Sequence, residues 1–252
     1  MLMLAYRTGV FPMADSRDDP EVFWVEPKLR AILPLDGFHL SRSLARTLRR
    51  GRFRVTCDAA FDAVIAACAG PRRDEGETWI SHRIAATYAL LHAHGIAHSV
   101  EVWQPGVDGG EVLVGGLYGV GFDRVFCGES MFSTVPDASK VALAWLVAAL
   151  RVAGAELLDC QFMTPHLASL GAIEMPQAEY LVLLNHAQRD SVRLAQRSRL
   201  IPGEGAAVGA AGGEAVALGL PEAFGALAAL AKSAGFSSSP GNFIAQSLTQ
   251  TS

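Results

Sequence analysis

A chain of 252 residues, half of them hydrophobic, is long enough to bury a sizeable core. Its formal net charge of -4 excludes the broad basic surface that coats nucleic acid without selectivity, though not a local basic patch. No apolar run approaches the ~20 residues of a membrane span, and the first ten residues carry Arg7 and no long apolar stretch, so the expected location is the cytoplasm.

Leu2 to Pro12 is a short apolar opening that contains Tyr6 and is stopped by Pro12. A charged turn from Asp15 to Pro20 leads into a Phe23-Trp24 strand that ends at Pro27, and residues 1–35 read as a small N-terminal domain. Ser41 predicts the cap of a helix from Arg42 to Arg50, with Gly51 ending it. At about 100° per residue, Arg42, Arg46, Arg49 and Arg50 share one face and Leu40, Leu44 and Leu48 the other. Four guanidinium groups with no acid between them repel one another unless an anion lies across them. The stripe is either a solvated basic face or a clamp for a phosphate backbone.

From Phe53 the pattern predicts a strand to Thr56, a helix capped by Asp58, a loop holding Arg72, Arg73, Asp74 and Glu75, and a helix capped by Ser81 and closed at Gly95. A strand from His98 to Trp103, a Gly-rich hairpin turn from Pro105 to Gly110 and two further strands follow. A helix from about Asp137 to Ala153 and a strand ending Leu157-Leu158-Asp159-Cys160-Gln161 complete an α+β domain over residues 36–188. Beyond it, Arg189 to Arg199 continues as a basic helix, Gly203 to Gly219 reads as a flexible linker, Leu220 to Lys232 as a helix, and Ser237 to Ser252 as a disordered polar end. Residues 189–252 together read as a low-complexity extension.

The chemistry concentrates between Val112 and Gln161. Side chains alternate along a strand, so Asp159 and Gln161 point to one side and Cys160 to the other. Glu129 lies at the end of the neighbouring apolar segment, beside Gly128, where the backbone can bend. Each alone is a strand-end polar group; the trio with apolar flanks is a candidate site. The four cysteines, Cys57, Cys68, Cys127 and Cys160, fall at no zinc spacing and read as reduced, buried thiols. A nucleophilic Cys127 or Cys160 paired with His166 is disfavoured, because the strand phase points Cys160 away from Asp159.

Phe126-Cys127-Gly128-Glu129-Ser130-Met131-Phe132-Ser133, Ala138-Ser139-Lys140, Asp159-Cys160-Gln161 and Ala168-Ser169-Leu170-Gly171-Ala172 resemble the signature of bacterial leucyl/phenylalanyl-tRNA-protein transferases. Phe11-Pro12, Trp79-Ile80 and His98 to Trp103 occur in the same order, so the resemblance runs from about Leu4 to Leu184. It implies transfer of Leu or Phe, with Met tolerated, from aminoacyl-tRNA to the N-terminal Arg or Lys of acceptor proteins, marking them for degradation. It also implies a GNAT-type domain, to which the order β-α-α-β-β-β-α-β is similar, and a monomer that needs no ATP, metal or coenzyme. Members are commonly longer at the start, so either the true start lies upstream or part of the first domain is absent.

The same resemblance assigns roles. Asp159 and Gln161 would be catalytic, Asp159 holding and deprotonating the amine and Gln161 positioning it or the ester. An ordinary Asp, with a pKa of ~4, is a poor base for an amine near 8, so Asp159 would act mainly by electrostatics unless burial raises its pKa. Glu129 would face the charge of the acceptor or a ribose hydroxyl. Leu117, Phe126, Met131 and Leu146 would line the pocket for Leu or Phe, and Trp79 would stack on the terminal adenine. Arg42, Arg46, Arg49 and Arg50 would lie along the acceptor stem. Met13 stands where the family usually has Trp, which weakens stacking there.

Three rivals remain at this stage. A coenzyme A acyltransferase would need a Gly-rich turn for the pyrophosphate, and Thr134-Val135-Pro136-Asp137 has no glycine. A serine hydrolase at Ser130 lacks the second glycine of the nucleophile elbow. A non-catalytic module that binds the tRNA acceptor end would keep the Arg42 helix and lose Asp159 or Gln161, and both are present.

Overall fold

The computed structural model describes residues 1–70, 78–188, 218–236 and 239–249. The expected Arg72–Glu75 loop, the Arg189–Arg199 stretch and the Gly/Ala-rich run up to residue 217 lie outside them. Strands β1 (Phe11–Met13) and β2 (Phe23–Val25) form a small antiparallel sheet. The main sheet has seven strands in the order β4-β5-β6-β7-β8-β3-β9. They span Leu29–Ile32 (β3), Arg54–Cys57 (β4), Ala97–Pro105 (β5), Glu111–Phe122 (β6), Val125–Ser133 (β7), Leu157–Gln161 (β8) and Ile173–Pro176 (β9).

Neighbours in this sheet run antiparallel except β7 and β8. Parallel strands need a crossover, and helix α5 (Ala138–Val152) supplies it, buried along nearly its whole length. β7 and β8 pair only from Val125↔Leu157 to Cys127↔Asp159. Beyond Cys127 the next residues of β7 pair with β6 alone, while Gln161 at the end of β8 pairs with Ala31 of β3. The two strands part where Glu129 and Gln161 stand, and a cleft opens there.

Both faces of the sheet are covered. Helices α2 (Arg42–Arg49), α5, α8 (Leu220–Ser233) and α9 (Pro240–Ser247) build the core on one face. Helices α1 (Leu2–Arg7), α3 (Phe61–Cys68), α4 (His82–Ala93) and α7 (Gln177–Ala187) build it on the other, and a single turn, α6 (Pro165–Ala168), follows β8. The result is a mixed α+β architecture, with the expected element order intact from β4 to β8. Ser41 and Ser81 cap α2 and α4 as expected, accepting from Leu44 N at 3.2 Å and Ile84 N at 3.3 Å.

The structure corrects three expectations. Asp58 does not cap α3: its carboxylate accepts from Ser99 N at 2.8 Å and pairs with His98 Nδ1 at 2.7 Å, while Glu101 faces the backbone N–H groups of Ala59 and Ala60. The polar end expected to be disordered from Ser237 forms helix α9 from Pro240, docked through Ile244, Ala245 and Leu248. β3 lies within the segment 1–35 expected as a separate domain, yet it is hydrogen-bonded between β8 and β9 of the main sheet. No helix among the described residues is long and apolar enough to cross a membrane.

Candidate active site

A β-bulge aims the central acid. Along β7 the pairs Gly119↔Gly128 and Tyr118↔Ser130 leave Glu129 as the extra residue, opposite no partner on β6. Before the bulge Phe126 faces the α5 side and Cys127 the other; after it Met131 faces the α5 side and Phe132 the other. Bulges locally disrupt the ladder and re-aim side chains. Here one strand delivers an apolar lining residue to one face and an acid toward the other.

Glu129 is buried among hydroxyls and an amide. Tyr6 Oη donates to Oε1 at 2.7 Å, Tyr88 Oη to Oε2 at 2.8 Å, and Gln161 Nε2 to Oε1 at 3.0 Å; the two tyrosine oxygens also lie within hydrogen-bond distance of each other, so either can turn its one proton to the other when Glu129 is itself protonated. Burial raises the carboxyl's pKa and outweighs the three hydrogen bonds that lower it, leaving Glu129 at about 7. Burial likewise pushes both tyrosines well above their ordinary range, so they stay neutral donors.

Behind this group lies an ion pair. Arg30 meets Asp159 through two parallel bonds, Nε to Oδ1 at 2.9 Å and Nη2 to Oδ2 at 2.6 Å, the bidentate geometry a guanidinium favours. Burial disfavours Arg30's charge, but its hydrogen bonds to Asp159 and that carboxylate's field hold its pKa above the usual value. Tyr180 Oη donates to Asp159 Oδ2 at 3.0 Å, and Arg30 Nη1 donates to the Gly9 carbonyl at 2.9 Å. Asp159 is 0% exposed, and its Oδ1 also accepts from the backbone N–H of Gln161 at 2.8 Å. That bond holds Gln161 in a left-handed conformation, φ 63°, where a residue other than glycine is uncommon.

The cleft encloses about 1120 Å³, with Glu129 and Gln161 among its walls. Leu117, Met131, Leu143 and Leu146 line it, as do half-buried Trp79 and exposed Phe162, whose ring packs edge-on against Phe11 at 5.6 Å. Phe126 is a correction: it is 0% exposed and sits in the core, not on the cleft wall. Asp159 is a second one. Its carboxylate is committed to Arg30 and Tyr180 and does not reach the cleft wall, so it is not placed to touch an incoming amine. Cys160 lines the cleft, but burial pushes its thiol up, away from thiolate, and His166 nearby has its pKa lowered by burial and by Lys140. The described residues contain no cluster of His, Cys, Asp or Glu able to hold a metal ion.

The arginine stripe is exposed. Arg42, Arg46, Arg49 and Arg50 surround a second depression of about 490 Å³ with Leu40, Ala45 and Thr249, and none of the four is in an ion pair among the described residues. On the same helix, Thr47 Oγ1 donates to Asp137 at 3.0 Å, tying α2 to the loop whose Val135 and Pro136 line the cleft.

Two family models match this chain. One, described as leucyl/phenylalanyl-tRNA protein transferase, covers residues 32–185, and one for the N-terminal domain of the same proteins covers residues 1–28. The chain belongs to the leucyl/phenylalanyl-tRNA protein transferase family. It is 68% identical to a leucyl/phenylalanyl-tRNA–protein transferase of Novosphingobium aromaticivorans over 100% of this chain and 95% of that one. A protein of the same name from Rhizorhabdus wittichii is 58% identical over 74% of this chain and 73% of its own, and one from Zymomonas mobilis 57% over 74% and 68%.

In this member of the transferase family, four residues of the site escaped the sequence reading: Tyr6, Arg30, Tyr88 and Tyr180. The tyrosines fit apolar helix faces and carry no signal of their own. Arg30 does, because a lone cation inside Leu29-Arg30-Ala31-Ile32-Leu33 must find an anion if the strand is buried.

Proposed function

We propose that the cleft transfers Leu or Phe, and at lower rate Met, from aminoacyl-tRNA to the N-terminal Arg or Lys of an acceptor protein. The observation that carries this is Glu129: a buried carboxyl with a pKa near 7, on the wall of an apolar cleft and beside an amide. An acceptor amine near 8 needs a base of comparable strength, which an ordinary carboxylate is not. The neutral amine attacks the ester carbonyl while Glu129 takes one of its two protons. The C–N bond forms, the C–O bond to ribose breaks, and Glu129 returns that proton to the ribose oxygen, leaving the amide with one N–H. Gln161 donates to Glu129 through Nε2, and its amide oxygen is left to accept from the incoming N–H, holding it in line. Asp159 and Arg30 act one step back, fixing Gln161 through its backbone N–H.

Leu117, Met131, Leu143 and Leu146 receive the aminoacyl side chain, and a pocket of this kind separates substrates by only ~1 to 3 kcal/mol per methylene. Trp79 stacks on the terminal adenine, and Arg42, Arg46, Arg49 and Arg50 run along the acceptor stem. The splayed parallel pair β7 and β8, crossed by α5 within the order β-α-α-β-β-β-α-β, supports a GNAT-type acyltransferase domain. No glycine lies between β7 and α5 to cradle a pyrophosphate, which favours an aminoacyl ester over a coenzyme A thioester. The protein acts as a cytoplasmic monomer, and its products are marked for degradation.

The test is transfer of labelled leucine from Leu-tRNA to a peptide beginning with Arg, in parallel with one beginning with Ala. Transfer to the Arg peptide alone is expected. Equal transfer to both, or to neither, would overturn the reading.

A further inference from the structure

The family match ends at residue 185, yet two helices beyond it are built into the fold. α8 packs on α5, with Phe224 stacked on Trp145 at 6.0 Å. α9 packs on α2 so closely that a Cβ on Gly241 would lie 2.3 Å from the Leu48 carbonyl oxygen. Ser239 Oγ donates to the Arg49 carbonyl at 3.3 Å, and Arg151 on α5 donates through Nη1 to the Ser247 carbonyl at 3.0 Å and through Nε to the Leu35 carbonyl at 2.7 Å. Ile244, Ala245 and Leu248 share a core with Leu44 and Leu48, the inner face of α2. Thr249, just past the end of α9, stands on the rim of the depression that Arg42, Arg46, Arg49 and Arg50 surround.

This packing answers a difficulty set by α2 itself. It has eight residues, below the ~12–15 at which an isolated helix is marginal in water, and it carries three of the four arginines of the stripe while Arg50 follows directly. Like charges on one face disfavour the helix further. Its outer face is open to solvent, so what holds it must come from beneath, and α9 lies there.

We propose that helices α8 and α9 are a working part of the RNA-binding surface: a C-terminal brace that holds the arginine stripe in the spacing a phosphate backbone requires, with Thr249 completing the rim. The inference rests on reading α2 as the surface for the acceptor stem. The brace acts on donor binding and leaves the cleft chemistry alone, because α9 packs on α2, α8 and the end of α5 that carries Arg151, away from Glu129 and Gln161.

The experiment compares wild type, Gly241→Leu, Arg46→Ala and the double variant in two assays. Fluorescence anisotropy reads the Kd for leucyl-tRNA against salt, and peptide transfer is measured with leucyl-tRNA and with 3′-leucyl-adenosine, which has no stem. Gly241→Leu should weaken leucyl-tRNA binding roughly tenfold and flatten the salt dependence by about one unit of log–log slope for each phosphate the stripe no longer neutralises. Transfer from 3′-leucyl-adenosine should stay at the wild-type rate, and Arg46→Ala should add little in the Gly241→Leu background. Wild-type Kd and salt slope in Gly241→Leu would overturn the proposal, as would an equal loss with both donors. If Gly241→Leu shows no cooperative melt, Gly241→Ala is read by the same criteria, since its one methyl already meets the Leu48 carbonyl. Failure of wild type to transfer leucine from either donor would sink the proposed function, while the Kd comparison would still decide this one.

Discussion

At the scale of single residues, the burial of Glu129 ties stability to pH. Glu129 has its pKa raised from 4.5 to about 7, so the folded state holds its proton more tightly than the unfolded chain does. The stability this contributes is present below pH 4.5 and is lost as pH rises through about 7, a swing of up to about 3 kcal/mol at ~1.4 per unit. Glu129→Gln should therefore be more stable than wild type at pH 8 in a thermal melt, while its transfer rate falls by at least ~100-fold. In wild type, kcat/KM should rise with pH through about 7, and that limb should vanish in the variant. The Arg30–Asp159 pair makes a different demand. Arg30→Met or Asp159→Asn leaves a buried partner uncompensated and should cost ~3–5 kcal/mol in urea titrations, with the double variant costing less than either single change. Glu129, Asp159 and Gln161 were legible because strand spacing and a flanking glycine mark them. Their division of labour was not, since it is set by Tyr6 and Tyr88, which are 123 and 41 residues from Glu129, and by Arg30, 129 from Asp159.

At the scale of elements, α5 couples packing to the cleft. A Cβ on Gly115 of β6 would lie 2.5 Å from Ala138 Cβ, so the first turn of α5 rests directly on the strand. Gly115→Ala should push α5 outward, lowering stability by ~1–3 kcal/mol. Because Leu143 and Leu146 of α5 line the cleft, it should also change the ratio of Leu to Phe transfer, and Ala138→Gly in the same chain should restore both. The elements from β4 to β8 were readable from period and caps. β3 and β9, at four residues each, are too short to show a period, and β3 is buried at three consecutive positions and so shows no alternation. α9 was hidden because Gly241 and Asn242 are poor helix formers; the helix exists because Gly241 lets it approach Leu48.

At the scale of the whole molecule, the site gathers groups from the first helix (Tyr6), the centre of the chain (Tyr88 and Glu129) and the end of the family-matched region (Tyr180). Apart from the bond between Asp159 and Gln161 its contacts are all distant in sequence, so it should form only when the entire sheet does. Urea unfolding followed by tryptophan fluorescence, far-UV circular dichroism and transfer activity should give one coincident transition. An early loss of activity would show that α1 detaches first. The bulge at Glu129 carries the most general consequence. Deleting Glu129 would restore regular alternation and leave Met131 opposite Leu117 on the α5 side, so the extra residue is what lets this strand carry an acid without displacing its lining. Exchanging letters along the strand reshapes the lining, whereas the number of residues decides whether the acid is there at all.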